Sequence, residues 1–266
     1  MTLAHDVTGS GPPIVLLHEG VADRRMWRHQ VPVLEPEHTV VTLDLRGFGD
    51  SPHASGTFSN VEDVRELLDE LGIDQAAVVG GSFGARVGLE LALVHPRRVS
   101  RLVLCPPALS DWEWSQTVRN AWRAEGEAYE AGDLDRATEV NVEFWVDGPS
   151  RGPDAVDPEV RGLVRTMQRQ AYELPEPDPP PQEGPELDPP ASERLGEIAV
   201  PTLLLVGDED VEDFQRIADR LALEIAGARK LVIHDAAHVL ALERPDEFNR
   251  ALLDFLGEPP AYTSSQ

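Results

Sequence analysis

One cysteine, Cys105, stands in the whole chain of 266 residues, so no intrachain disulfide can form and no zinc site built on several cysteines is available. A reducing compartment fits that usage. Long apolar runs are missing too: no stretch approaches the ~18 residues that a membrane span needs. The opening MTLAHDVTGS has no basic n-region followed by an apolar core. The chain is therefore expected to act in the cytoplasm, away from membranes. Basic charge is scarce: 23 Lys and Arg face 48 Asp and Glu, a net charge of −25, and Lys230 is the single lysine. Such an acid excess repels nucleic acid and anionic membranes over the screening length, which excludes polyanions as partners.

What is present is a rhythm. Short apolar runs bounded by turn residues recur at Ile14 to Leu17, Val40 to Leu45, Ala76 to Val79, Leu102 to Leu104, Thr202 to Val206 and Leu231 to Ile233. They lack polar alternation, as strands buried on both faces of a parallel sheet do. Helical spacings lie between them, at Val61, Val64, Leu68 and Leu71, then Phe214, Ile217, Ala218, Leu221 and Ile225, and finally Phe248, Ala251, Leu252 and Phe255. Alternating strands and helices predict an α/β fold with a mostly parallel, doubly wound sheet. The alternation stops between residues 108 and 190, so the expected organisation is a core of residues 1–107 and 191–266 interrupted by a helical cap of residues 108–190. That cap ends in LPEPDPPPQEGPELDPP, Leu174 to Pro190, whose eight prolines among acidic residues predict an extended, polyproline-like linker without a strand.

The strongest chemical signal is VVGGSFGARVGLELAL, where Gly80, Ser82 and Gly84 satisfy G-x-S-x-G directly after a strand and at the start of a helix. A serine on this sharp turn takes a strained backbone conformation that exposes its hydroxyl, and the helix N-terminus aims N–H groups at the site. A serine nucleophile needs a later histidine as base and a carboxylate to orient it. KLVIHDAAHVLALERPDEF offers His234, which continues a strand, and His238, which follows two alanines and is free to face the serine; His238 is the expected base. H-D-x-x-H also resembles the zinc-protease pattern, but its first histidine ends a strand rather than sharing a helix face with the second, so no metal is expected. The acid comes from GDED: Asp210, further into the loop, is preferred over Asp208, and the order Ser, Asp, His suits such a sheet. The oxyanion hole takes one N–H from Phe83 and a second from Gly20 or Val21 in HEGVADRRMW, a loop that His18 is expected to brace.

With these residues in hand, the chain resembles the α/β-hydrolase fold superfamily. LLHEGVADRRMW is similar to the H-G-x-G-x-D-x-x-M-W loop and LDLRGFGDS to the D-x-R-G-x-G-x-S turn, while GGSFGARV, GDED and HVLALERPDEF resemble the elbow, acid loop and histidine segment. Within it, the nearest resemblance is to small cofactor-free bacterial hydrolases: 3-oxoadipate enol-lactonases, meta-cleavage-product hydrolases, carboxylesterases and haloperoxidases. The resemblance implies Ser82, Asp210 and His238 as triad, Gly20 and Phe83 as oxyanion donors, a helical cap, no cofactor, and a small ester or lactone as substrate. Two positions depart from the pattern. Glu19 replaces a glycine and is expected to turn to solvent, leaving only its backbone near the site; Ala237 replaces another and should restrict the base loop slightly.

Trp112, Trp114, Trp122, Phe144, Trp145 and Met167 in the cap, with Val21 and Val239, are candidates for an apolar substrate pocket, or else pack cap on core. Asp44 and Arg46 read as a structural charged pair at a strand end, and Cys105 as a small buried hydrophobe. Rival readings share the site: hydrolysis of a carbon–carbon bond in a diketone, a haloperoxidase or perhydrolase, or a ligand receptor that hardly turns over.

Overall fold

The computed structural model describes residues 3–257; the ends of the expected core, 1–2 and 258–266, lie outside the described residues. Seven strands form the main sheet: β1 (His5–Gly9), β2 (Pro13–Leu17), β3 (Thr39–Leu43), β5 (Ala76–Gly80), β6 (Val99–Leu104), β8 (Thr202–Gly207) and β9 (Arg229–Ile233). Two further strands, β4 (Thr57–Phe58) and β7 (Gln182–Glu183), pair only with each other. The main order is β1-β3-β2-β5-β6-β8-β9, parallel throughout except that β1 runs antiparallel to β3.

The apolar runs become strands because both faces are covered. Ile14 and Leu16 of β2 join one core cluster and Val15 and Leu17 the other, as the twofold strand period requires. The layers are supplied by α1 (Val31–Leu34), α2 (Asn60–Glu70), α3 (Phe83–Val94), α7 (Glu212–Glu224), α8 (Leu240–Glu243) and α9 (Pro245–Gly257). In α7, Phe214, Ile217 and Leu221 fall on one face and are buried, each stabilising the fold by about 1.5–3 kcal/mol. Ser59 starts α2 by accepting from the Glu62 N–H at 3.3 Å, with Glu62 and Asp63 in the first turn where the helix dipole favours acids.

Three expectations are corrected. The run Leu231 to Ile233 lies on the edge strand β9, where Leu231 and Val232 are exposed, because only one neighbour, β8, pairs with it. Asp44 and Arg46 do not pair with each other: Asp44 accepts from the Arg24 guanidinium and from the Arg24 and Asp50 amides, while Arg46 pairs with Asp63. The third concerns the segment between β6 and β8. It holds the helices α4 (Gln116–Glu130), α5 (Leu134–Asn141) and α6 (Pro158–Glu173), with a π-helical turn at Val142–Asp147. Its proline-rich end is not an unpaired linker, since β7 lies parallel to β4 and Glu183 reaches Asn60 and Arg86 at 2.8 Å. Main-chain pairing asks only for an extended backbone with free N–H groups, and Gln182 and Gly184 supply them between the prolines. No helix among the described residues is long and apolar enough to cross a membrane.

Candidate active site

β5 ends at Gly80 and α3 begins at Phe83, leaving Gly81 and Ser82 to make the turn. Ser82 sits at φ 47° and ψ −104°, a conformation that costs a non-glycine residue about 1–3 kcal/mol and persists only where its surroundings enforce it. They do: the Gly81, Ser82 and Gly84 amides donate to Leu17, Pro106 and His18 carbonyls at 2.9–3.0 Å. The two motif glycines are steric necessities, since a Cβ at Gly80 would lie 2.3 Å from the Gly84 carbonyl oxygen, and one at Gly84 2.4 Å from that of Leu17.

The backbones of Gly20 and Phe83 come together beside Ser82: a Cβ added to Gly20 would lie 3.6 Å from the Phe83 Cβ. Among the described residues neither their N–H groups nor that of Val21 has an acceptor within the protein. His18 holds this loop: the Leu45 amide donates to its Nε2 at 2.9 Å, so Nδ1 carries the proton and donates to the Glu19 carbonyl at 2.7 Å. Burial lowers the pKa of His18, keeping it neutral in that role.

His238 and Asp210 are brought together by the loops after β9 and β8. Nδ1 of His238 lies 2.9 Å from Asp210 Oδ2, both side chains being almost wholly buried. Asp210 Oδ1 accepts the Val211 amide at 2.7 Å, and the His238 amide donates to the Trp145 carbonyl at 3.2 Å. The imidazole is wedged between the rings of Trp145 and Phe214, at 4.6 and 4.5 Å. A carboxylate on Nδ1 leaves Nε2 as the basic nitrogen. The Ala237 amide donates to Glu243 at 2.8 Å, and Glu243 pairs with Arg151 at 2.8 Å, so the loop carrying His238 is anchored to the inserted segment. The neighbouring pair behaves differently: His234 meets Asp208 at 2.8 Å but is three-quarters exposed. Partial burial opposes the charge on Asp208, yet its bond to His234, backbone N–H bonds and the His234 charge together outweigh that and lower its pKa, while the bond to Asp208 raises that of His234.

Glu19 does not turn to solvent. Its side chain has no exposed surface, and both carboxyl oxygens lack a hydrogen-bond partner. It lies beneath the elbow, in the space that a side chain at residue 81 would fill: a Cβ on Gly81 would meet Glu19 Cγ at 2.6 Å. Burial first, then the nearby Asp210 and Glu243 charges, push its pKa well above the usual carboxylate range, which favours the protonated acid. Sequence reading missed this because a lone glutamate in a loop reads as surface; Gly81, a residue type that the motif leaves free, was the only local signal.

Ser82, His238, Gly20, Val21 and Phe83 line one cavity of about 500 Å³. Of the expected pocket residues, Trp122 and Trp145 line it as well, with Trp114. Trp112 instead donates to Asp213 at 3.2 Å, and Met167 and Val239 are buried in the core away from the lining. Phe48, Phe214, Arg86, Glu125 and Asn141 also line it and were not foreseen. Phe214 could not have been, because its helical spacing serves core and cavity alike. The Ser82 hydroxyl makes no hydrogen bond to His238 among the described residues; contacts of this kind are often loose and tighten once substrate binds.

A model of the family described as "Alpha/beta hydrolase family" matches residues 14–251. A pimeloyl-[acyl-carrier protein] methyl ester esterase of Vibrio vulnificus is 26% identical, covering 94% of this chain and 96% of that protein. A 3-oxoadipate enol-lactonase of Acinetobacter baylyi is also 26% identical, over 96% of this chain and 93% of its own. Among solved structures, a hydrolase from Pseudomonas aeruginosa superposes with a TM-score of 0.78 at 26% identity, over 96% of this chain and 94% of that one.

Proposed function

The chain belongs to the alpha/beta hydrolase family, and from that premise we propose that it cleaves a small carboxylic ester or lactone through an acyl-enzyme on Ser82. The observation that carries this reading is the strained Ser82 turn opening into the same cavity as an imidazole oriented by a buried carboxylate. His238 Nε2 takes the hydroxyl proton as Ser82 Oγ attacks the carbonyl, and Asp210 stabilises the imidazolium. The Gly20 and Phe83 N–H groups receive the oxyanion, a contribution of about 3–4 kcal/mol per donor in comparable sites. Collapse expels the alcohol, which takes its proton from His238; water then attacks the acyl-enzyme by the same base. The inserted helices of residues 108–190 act as cap and define the acyl or alcohol pocket. The esterase and lactonase named among the relatives support this substrate class.

A fluorophosphonate probe is expected to label the wild type and not Ser82→Ala, which should also lose hydrolysis of a nitrophenyl ester. Asp210→Asn should lower kcat by about 10³–10⁴-fold and Asp208→Asn by less than about threefold. Equal losses in the two asparagine variants would reassign the acid. Tight binding of a small ligand without labelling would favour the receptor reading instead.

A further inference from the structure

Two of the inserted helices, α4 and α5, contribute side chains to the cavity that Ser82 lines, α6 bonds to both through Tyr172, and the polarity of this wall is directional. Asn141, the last residue of α5, is 3% exposed and donates from Nδ2 to the Tyr172 hydroxyl at 2.7 Å. Tyr172, on α6, donates in turn to Glu125 of α4 at 2.5 Å. Burial and the adjacent Glu125 hold the Tyr172 phenol far above its usual pKa, so it keeps its proton and spends it on the carboxylate. The proton order along this chain is therefore settled: the amide donates one hydrogen to the phenol and the other to the Ala137 carbonyl at 3.4 Å, leaving Asn141 Oδ1 and the second Glu125 oxygen as the groups that remain. Asn141 and Glu125 both line the cavity, and what they have left to offer are acceptors.

The basic residue on the rim is already engaged. Arg86 lies over the Phe83 ring and pairs with Glu183 at 2.8 Å and with Glu90 at 3.6 Å. Glu186 adds a further carboxylate to the lining. One turn before Glu125 on α4, Trp122 meets Trp114 edge-on at 5.3 Å, and aromatic faces of this kind attract cations.

We infer that the site, read as an ester or lactone site, is selective for substrates whose distal end carries an ammonium group, and that Asn141, Glu125 and the Trp114–Trp122 pair form the subsite that receives it. A distal carboxylate would face acceptors without a donor and a net negative rim, which leaves its charge unpaired in a half-enclosed space.

Nitrophenyl esters of equal acyl length ending in ammonium, methyl or carboxylate test this. The ratio of kcat/KM for ammonium over carboxylate should be at least about tenfold, the size expected of partly exposed charge contacts that change from attraction to repulsion. In Glu125→Gln the same ratio should fall to within about threefold; general damage to the enzyme cancels in a ratio from one preparation. A preference for the carboxylate ester, abolished in Arg86→Gln, would overturn the inference by showing that Arg86 leaves Glu183 to bind anions. A ratio unmoved in Glu125→Gln would overturn the assigned subsite. Should no ester turn over, the hydrolase reading fails by itself, and calorimetric binding of the three matched carboxamides still orders the charges: tighter carboxylate binding refutes the subsite and tighter ammonium binding upholds it.

Discussion

Glu19 places an ionisable group without exposed surface directly beneath the turn that carries Ser82. Its folded-state pKa lies above the unfolded value of about 4.3, so between those two values the native protein holds one more proton than the unfolded chain. Stability contributed at this residue is therefore intact at low pH and is lost as pH rises through that window. Glu19→Gln keeps the shape and removes the proton, so its stability relative to wild type should climb by up to about 1.4 kcal/mol per pH unit above pH 4.3. Urea denaturation of both proteins from acid to mildly alkaline pH reads this out, and parallel curves would mean that Glu19 ionises freely. The Ser82 turn was the most legible part of the candidate site, because the elbow is a local strand-to-helix motif whose Gly80 answers to Gly84 and Ala85, although its Gly84 answers to the distant Leu17 carbonyl. The Glu19 orientation was not legible, because it depends on an empty space beside Gly81 that only the folded chain creates.

At the scale of elements, the elbow is a junction of three strand ends: the end of β2 and the loops after β2 and β6 supply the carbonyls that hold it, and β5 and α3 supply the chain that turns. Gly81 is not among the residues with positive φ, so alanine there is penalised by contact rather than by backbone conformation. Its added methyl would meet Glu19 Cγ at 2.6 Å and the Cys105 carbonyl oxygen at 3.0 Å. Gly81→Ala should destabilise by about 2–3 kcal/mol, and by at least about 1 kcal/mol less when Glu19 is also alanine. The four proteins of this cycle, unfolded in urea, give the coupling; additive losses would separate the two positions. Strands with continuous apolar runs were readable because burial on both faces writes itself into sequence. β1 was not, since HDVTG is a half-exposed edge with no such run, and β4 and β7 pair through two residues of backbone that carry no side-chain signature.

For the whole molecule, two electrostatic effects oppose each other. A net charge of −25 destabilises the compact state by self-repulsion, whereas arginine–carboxylate pairs across the surface stabilise it. Several of those pairs are exposed on both sides, as Arg216–Glu212 and Arg123–Glu127 are, and such pairs contribute about 0–1 kcal/mol each. Repulsion wins, so raising NaCl from about 0.02 to about 0.5 M should raise the thermal midpoint by a few degrees, roughly 3–5 °C. A falling midpoint in calorimetry would give the pairs the larger share. The sheet and its alternation with helices were legible at this scale, and the cavity wall was not, because α4, α5 and α6 meet through contacts distant in sequence. The β4–β7 pairing adds a main-chain fastening to the inserted segment, besides its two junctions with the sheet and the Arg151–Glu243 and Trp112–Asp213 contacts. In mechanical language it is a bridge resting on several piers rather than a flap on one hinge. Traffic through the cavity must then pass by small displacements of rim side chains, Arg86 and Glu183 foremost, while the span itself stays in place.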